Sequence, residues 1–297
     1  MAGYKLLFTA PVDFDLRVQR EYNKFLPTFF AAGLRERRHL VANGAEVWVC
    51  NPNQQFVIDE DVLFAMPKLR ILGTPSTGTN HIDKAACEAR GVKIFSLLDD
   101  REGLGKISAS SEFAMLMVLT MLRRHRAHEI QGKTVGIVGL GRIGGNLMNW
   151  FEAMGCRVIF RDPGKPLSVP MRRLFSISDI VVVSCELNEH TTRMIGQKEL
   201  ERMPHEGIFV NVSRGEVLRE EELLPTFKRR PDLRIALDVL CGETTGTANP
   251  KPLLDARMFV TPHIAGDTFE SRTKAARMLL GLLKREYGQG LSGRQGH

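Results

Sequence analysis

The feature that most restricts what this 297-residue chain can fold into is the segment KTVGIVGLGRIG at positions 133–144. It sets Gly139, Gly141 and Gly144 in the spacing GxGxxG, directly behind an aliphatic run (Thr134–Gly139) and directly ahead of a helical run (Asn146–Met154). Glycines at these three points of a strand–turn–helix form a dinucleotide-binding turn. Gly139 makes the tight turn, Gly141 lets the backbone approach a pyrophosphate, and Gly144 lets helix and strand pack closely. The helix N-terminus then offers N–H groups to the anion, and Arg142 and Ile143 are counted with the turn as cofactor-binding. The next aliphatic run, Arg157–Phe160, leads into Arg161, Asp162 and Pro163, which puts an acid where such a fold needs one for the ribose hydroxyls. A carboxylate at Asp162 repels a 2′-phosphate and favours NAD over NADP, a preference that the adjacent Arg161 softens.

The rest of the chain agrees with a parallel α/β design. After position 108 six β-branched or aliphatic runs alternate with helix-length stretches: Thr134–Gly139, Arg157–Phe160, Ile180–Ser184, Gly207–Val212, Arg234–Val239 and Met258–Thr261. Six such strands fit one doubly wound parallel sheet. Earlier, Lys5–Ala10, Glu46–Cys50, Leu69–Gly73 and Val92–Phe95 read as buried strands of the same style. A helix is expected over Ser108–Arg126, with Ser111 as candidate N-cap and a basic last turn, and another over Ser271–Tyr287, after which Gly, Ser and Gln take over and order is expected to end. The length exceeds what one compact unit usually needs, so two domains are expected.

Composition removes several function classes. The formal charge is +7, but the basic groups (Arg35, Arg37 and Arg38; Arg123, Arg124 and Arg126; Arg229 and Arg230) are short and have acids between them, and aromatic content is 7%, so a nucleic-acid surface is not favoured. Cys50, Cys87, Cys156, Cys185 and Cys241 are odd in number, far apart and without a CxxC pair, so they read as reduced thiols and neither a disulfide framework nor a metal site is expected. No run has the length of a membrane span, and the opening residues turn acidic too early for a secretory signal, which leaves the cytoplasm as the default compartment.

Three later segments end strands with polar residues. NVSRG (211–215) puts Arg214 at the carboxyl end of a buried run, where ligands of open α/β sheets bind; LDVLCGE (237–243) delivers Asp238 and Glu243 to the same edge; TPHIAG (261–266) delivers His263. Taken singly, each has a plainer reading: a loop histidine, a surface ion pair, a solvated acid. Taken with LRILGTPSTGTNHID (69–83), Glu112 opening the first long helix, and SDIVVVSCELNEHT (178–191), in this order over nearly the whole chain, they resemble the D-isomer-specific 2-hydroxyacid dehydrogenase family. That family also includes glycerate, phosphoglycerate and formate dehydrogenases and transcriptional corepressors.

The resemblance implies a Rossmann cofactor domain, a doubly wound parallel sheet over residues 108–266, inserted into a smaller flavodoxin-like α/β substrate domain made of residues 1–107 and 267–297. It implies hydride transfer between NAD(H) and a small D-2-hydroxy acid or the matching 2-oxo acid. Arg214 would grip the substrate carboxylate and polarise its carbonyl, a role suited to a rigid guanidinium fork. His263 would give a proton to the forming alkoxide in reduction and take one from the hydroxyl in oxidation, with Glu243 stabilising the imidazolium. Asp238 is expected near the nicotinamide amide and ribose, and Cys185, Val212 and Ser213 against the cofactor through local backbone. Ser76, Thr77 and Gly78 match the loop whose N–H groups bind the substrate carboxylate, with Thr77 also facing the nicotinamide. His81, His125, His128, His190 and His205 lack such company and read as surface or structural.

The chain also departs from the family pattern. Only Arg126–Lys133 separates the linking helix from the glycine turn, where relatives carry a longer segment that contributes to their homodimer, so a monomer or a different dimer stands beside that expectation. Thr244 follows Glu243 where relatives often have Pro, and the Gly-Thr-Ala-Asn stretch after it suggests a remodelled loop. Cys50 and Asn51 occupy the place where phosphoglycerate-type relatives tend to carry a cation, which weakens a phosphorylated substrate. Formate oxidation needs no proton transfer to an alkoxide, so Glu243 beside His263 points away from it. A glyoxylate or hydroxypyruvate reductase differs only in substrate, while the rival of another kind is an NADH-sensing, corepressor-like protein with little turnover.

Overall fold

Two parallel sheets carry the strands of the computed structural model, which describes residues 4–11, 15–31, 44–124, 128–243, 247–248 and 258–292. The chain divides into two compact units. One holds the described residues up to Ile107 and from Phe269 onward, the other Ser108–Glu243 with the described part of Thr247–Thr268.

The sheet of the first unit runs β2-β1-β3-β4-β5, all parallel: β1 (Leu6–Phe8), β2 (Thr28–Phe30), β3 (Val47–Val49), β4 (Ile71–Gly73) and β5 (Lys93–Phe95). Helices α1 (Leu16–Phe25), α2 (Glu60–Phe64), α3 (Lys84–Ala89) and α4 (Arg101–Gly105) lie between or after these strands. Every residue of β1, β3 and β4 is buried, which is why these runs are unbroken apolar sequence rather than alternating. The four strands expected here all form, each shorter than its apolar run. The sequence reading missed β2, an edge strand of three residues that is only partly covered and so has no run for a pattern to show.

The second unit holds β6 (Thr134–Val138), β7 (Arg157–Arg161), β8 (Ile180–Val183), β9 (Ile208–Asn211), β10 (Arg234–Leu237) and β11 (Met258–Val260) in the order β11-β10-β9-β8-β6-β7, all parallel. All six expected runs are strands. The chain makes β7 on one side of β6 and then crosses to the other side for β8, so connections diverge from the carboxyl ends of β6 and β8, and that divergence opens the crevice in which open α/β sheets bind ligands. Among the described residues no further strand pairs with the outer edge of β7; Val169 N–H reaches Phe160 O at 2.9 Å and the segment then leads into a helix.

Helices α5 (Ala109–Arg124) and α6 (Arg142–Ala153) pack with Val135, Ile137, Ile180 and Val210 on one face of this sheet. Helices α7 (Met171–Ile177), α8 (Gln197–Leu200) and α9 (Leu223–Arg229) contribute Leu174, Phe175, Leu200 and Phe227 to a second cluster with Val181, Phe209 and Ile235. Ser111 is not the N-cap of α5. The helix starts two residues earlier, and the Ser111 N–H is already taken by Ser108 O at 2.8 Å. The buried hydroxyl of Ser111 instead donates to Ile143 O (3.5 Å) and accepts from Asn146 Nδ2 (3.3 Å), which pins α5 to α6. The expected end of α5 at Arg126, with His125, lies outside the described residues.

The last helix, α10 (Phe269–Ser292), belongs to the first unit and runs past Tyr287, where the sequence reading ended it. The Gly and Gln residues of its final turns hide the continuation; residues 293–297 lie outside the described residues. Leu279, Leu280 and Leu283 pack with Leu6, Phe8 and Val47, Tyr22 Oη donates to Ala276 O at 2.8 Å, and Thr273 Oγ1 donates to Asp15 at 3.0 Å. No helix among the described residues is long and apolar enough to cross a membrane.

Candidate active site

The glycine turn sits at the switch point of the second sheet. Gly139 has φ +92°, and a Cβ there would lie 2.5 Å from Cys185 Cα; both facts exclude a side chain. At Gly144 a Cβ would lie 2.1 Å from Gly139 O, so α6 packs against the turn at a distance only glycine allows. Gly141 differs from both. Its φ of −80° is ordinary for any residue, and a Cβ built there meets nothing within 4 Å. Neither backbone nor packing asks for glycine at 141, and its side chain would fill only open space ahead of α6. That helix has no side-chain N-cap, and its first-turn N–H groups, which no residue of the helix can accept, face the same way. This is a cradle fit for a diphosphate.

Asp162, one residue beyond β7, accepts the Leu140 N–H at 3.0 Å through Oδ2 and the Gly164 N–H at 3.3 Å through Oδ1. It therefore braces the glycine turn as well as presenting a carboxylate beside it. Ser184 Oγ donates to Gly139 O at 2.9 Å, and Cys185 follows with its Cα against Gly139. Burial pushes the Cys185 thiol up to about 11, so it is a neutral wall and not a nucleophile.

Val212, Ser213 and Arg214 leave the end of β9 in a bend shaped by Asn211, which is wholly buried. Asn211 Oδ1 accepts the Ser213 N–H (3.0 Å) and Ser213 Oγ–H (2.7 Å), and its Nδ2 donates to Arg214 O at 3.0 Å. Arg214 donates from Nη1 to Ser213 O at 2.7 Å. Burial lowers its guanidinium from the ordinary value, with Glu243, Glu216 and Glu186 acting the other way, and arginine keeps its charge in either case. A Cβ at Gly215 would stand 2.0 Å from Leu240 C, so the loop carrying Arg214 rests directly on the backbone of the loop carrying Glu243. Two acids lock the same contact: Glu220 accepts the Cys241 N–H at 2.8 Å and Glu216 the Gly242 N–H at 3.3 Å.

Glu243 and His263 meet. Glu243 Oε1 accepts the Leu240 N–H at 2.8 Å, and Oε2 lies 2.7 Å from His263 Nδ1. A carboxylate only accepts, so this bond places a hydrogen on Nδ1 and leaves Nε2 as the working atom of the ring. His263 has φ +57°, a left-handed conformation seldom adopted by side chains other than glycine. Asp238, at the end of β10, is wholly buried under the same turn, and its carboxylate accepts from Thr261 Oγ1, Ile264 N and Ala265 N.

Ser76, Thr77 and Gly78 lie in the first unit, in the loop after β4. Ser76 Oγ donates to Gly78 O (2.8 Å) and pairs with Thr74 Oγ1 (2.9 Å), so its hydroxyl shapes the loop. Next to them His81 Nε2 lies 3.5 Å from Cys50 Sγ in the core, which makes His81 structural. The sequence reading named no role for Asn211, Glu216, Glu220 or Thr261. An amide ending the buried run IFVN was a signal for Asn211; the others bond to residues 20 or more positions away and leave no local pattern.

Comparison with known proteins places the chain. Residues 112–265 match the NAD binding domain model of the D-isomer specific 2-hydroxyacid dehydrogenases, and residues 15–99 match the catalytic domain model of the same proteins. Among curated proteins, an erythronate-4-phosphate dehydrogenase of Shewanella baltica (strain OS195) is 30% identical over 232 residues, which is 75% of this chain and 59% of that protein. Another, of Psychrobacter sp. (strain PRwf-1), is 28% identical over 246 residues, 78% of this chain and 64% of that one. The chain thus spans about three fifths of the length of these relatives. Among solved structures, an NAD+-bound 3-phosphoglycerate dehydrogenase of Entamoeba histolytica superposes with TM-score 0.84 at 21% identity, covering 97% of both chains. A D-lactate dehydrogenase of Aquifex aeolicus complexed with NAD and lactic acid does so with TM-score 0.81 at 21% identity, covering 99% of this chain and 98% of that one. These likenesses establish the fold.

Proposed function

The chain belongs to the D-isomer-specific 2-hydroxyacid dehydrogenase family, and from that footing we propose that it interconverts an unphosphorylated D-2-hydroxy acid and its 2-oxo acid with NAD(H). The observation that carries this reading is the 2.7 Å pairing of His263 Nδ1 with Glu243, which frees Nε2 for a substrate proton.

In reduction, the imidazolium of His263 gives its Nε2 proton to the alkoxide oxygen as it forms; in oxidation, the neutral ring takes that proton from the hydroxyl. Glu243 keeps the ring oriented and holds a negative charge against it throughout. Arg214 receives the substrate carboxylate and draws electron density from the adjacent carbonyl. NADH, when bound, supplies the hydride. Gly139–Gly144 with the start of α6 would hold its diphosphate, Asp162 its adenosine ribose, and the backbone at Cys185, Val212 and Ser213 the remainder. The carboxylate at Asp162 supports NAD over NADP.

The name of the curated relatives specifies a 4-phosphate ester, whereas the loops after β3 and β4 (50–59 and 74–83) contain no Lys or Arg, and Cys50 and Asn51 there are buried. That supports an unphosphorylated acid. A cytoplasmic setting accompanies this reading, with all five cysteines free. The test is NADH and NADPH consumption with glyoxylate, hydroxypyruvate, pyruvate and bulkier 2-oxo acids, and NAD reduction with 4-phosphoerythronate, for the wild type beside His263→Ala and Arg214→Ala. Turnover of an unphosphorylated acid that both substitutions abolish is expected. Tight NADH binding without turnover of any acid refutes the enzymatic reading, and turnover of 4-phosphoerythronate alone refutes the substrate class.

A further inference from the structure

A hydride leaving NADH turns a neutral dihydronicotinamide ring into a cation, so the two forms of the cofactor differ in charge at that ring and nowhere else. Fixed charges near the ring separate the oxidised from the reduced form, while charges near the diphosphate or the adenosine act on both alike.

Three carboxylates act on the Arg214 guanidinium: Glu243, Glu216 and Glu186. The first two are committed. Glu243 accepts the Leu240 N–H and pairs with His263 Nδ1, and Glu216 accepts the Gly242 N–H at 3.3 Å. Glu186 is exposed, and among the described residues its carboxylate has no hydrogen bond or ion pair. Its backbone is held instead: Thr191 Oγ1 donates to Glu186 O at 2.6 Å, and the Asn188 N–H donates to Thr191 Oγ1 at 2.8 Å. The chain reaches Glu186 just past the end of β8, after Ser184, whose hydroxyl bonds Gly139 O, and Cys185, whose Cα stands against Gly139. Alongside, Val183 pairs with Asn211 of β9, and Val212, Ser213 and Arg214 leave the end of that strand. Glu186 therefore stands at the carboxyl edge of the sheet, next to the glycine turn on one side and within electrostatic reach of Arg214 on the other. With the diphosphate on the turn and the substrate carboxylate on Arg214, the nicotinamide has to lie between them to pass a hydride.

We infer that Glu186 sets the balance between the two redox forms of the cofactor, its uncommitted carboxylate holding NAD+ more firmly than NADH. The inference rests on the reading of this crevice as the NAD(H) site with Arg214 on the substrate. It makes Glu186 a specificity-determining residue for the redox state of the dinucleotide. In reduction the hydride goes to the carbonyl carbon, the proton of His263 goes to its oxygen, and the ring is left cationic beside Glu186, which draws the bound equilibrium toward the hydroxy acid. Because Glu186 is exposed, water and salt screen it, and its effect on the ratio of the two Kd values is about three- to tenfold.

The test needs no turnover. Glu186→Gln, Glu186→Lys and, as control, Glu189→Gln, an exposed acid of the same loop that pairs with His190, are made in the full chain. NADH Kd is measured by fluorescence titration and NAD+ Kd by calorimetry, at low and at high salt. Glu186→Gln is expected to weaken NAD+ by about three- to tenfold with NADH within about twofold, and Glu186→Lys to move the ratio further the same way, by about tenfold or more. The shift should shrink at high salt, and Glu189→Gln should leave the ratio where it was. Equal changes for both cofactor forms, a ratio unmoved in both Glu186 variants, or a shift as large in Glu189→Gln overturns the inference. A wild type that binds neither form defeats the cofactor reading and this inference with it; one that binds both without turning over any acid defeats the enzymatic reading alone and leaves the ratio to decide the role of Glu186.

Discussion

Replacing Glu243 with Gln removes a charge from the site and almost nothing from its shape. Both partners of the carboxylate are donors: Leu240 N–H on Oε1 at 2.8 Å and His263 Nδ1–H on Oε2 at 2.7 Å. A carboxamide has a single acceptor. If its oxygen stays on Leu240, the amino group turns toward Nδ1, and a neutral ring can accept that contact only by moving its hydrogen to Nε2, the atom that must receive the hydroxyl proton. An imidazolium, with hydrogens on both nitrogens, cannot accept it at all. If the amide flips, the same conflict arises at Leu240. The side chains of His263 and Glu243 keep 33% and 26% of their exposure, so solvent screens the pair only in part. A hydrogen bond to a charged group contributes ~1.5–3 kcal/mol, which at 1.36 kcal/mol per decade corresponds to a kcat lower by roughly 10- to 150-fold in both directions. Because Glu243 is not asked to bind substrate, KM for the acid and NADH Kd should stay within about threefold. Steady-state rates of oxo-acid reduction and hydroxy-acid oxidation, with NADH fluorescence titration, measure all three. Retention of kcat with a KM raised about tenfold would refute the argument and make Glu243 a substrate ligand.

Two glycines of the turn should separate stability from binding. Gly144→Ala puts a Cβ 2.1 Å from Gly139 O and should destabilise the second unit by about 1–3 kcal/mol or more, read as a lower Tm; Gly141→Ala meets nothing and should leave Tm unchanged while weakening NADH by about tenfold. Equal losses of Tm in both would show that the turn is structural at every glycine. Asp162→Ser removes the charge beside the ribose site and the brace on Leu140 N–H, so NADH binding should weaken and the preference for NADH over NADPH should narrow by about tenfold in kcat/KM; an unchanged ratio speaks against that placement. Far from the site, two bonds from Arg230 (2.9 and 2.7 Å) hold the half-buried Asp232 carboxyl at about 2, below its ordinary 3.8. A folded-state value lowered in this way contributes stability above the unfolded value and loses it as pH falls through the folded one, so urea unfolding from pH about 4 to about 2 should show a loss of roughly 1–2 kcal/mol that Asp232→Asn lacks. Parallel acid limbs in the two proteins would remove Asp232 from the account.

What could be read in the sequence follows from where the bonds run. The inner strands of both sheets stood out because a sheet covered on both faces needs unbroken apolar runs, and the partly covered edge strands β5, β7 and β11 still carry aliphatic runs that the sequence shows. The edge strand Thr28–Phe30 has no such need and was missed. Ser111 looked like a cap because capping and helix-to-helix bridging use the same hydroxyl, and only the position of Asn146 tells them apart. Strand order was not legible, because it depends on how connections cross. At the site, Arg214, Glu243 and His263 were visible only jointly, and the structure brings Glu243 and His263 into contact. Glu216 and Glu220 act on backbone groups and Thr261 on the Asp238 carboxylate across folded loops, and nothing in the residues flanking them announces it.

The contact at Gly215 also sets a rule for redesign. With no room for even one carbon between it and Leu240, and with Glu216 and Glu220 tied to the following turn, segments 211–220 and 237–243 behave as a single casting. A loop transplanted from a relative to change specificity would have to bring both segments together, since either half alone would meet a mismatched seat.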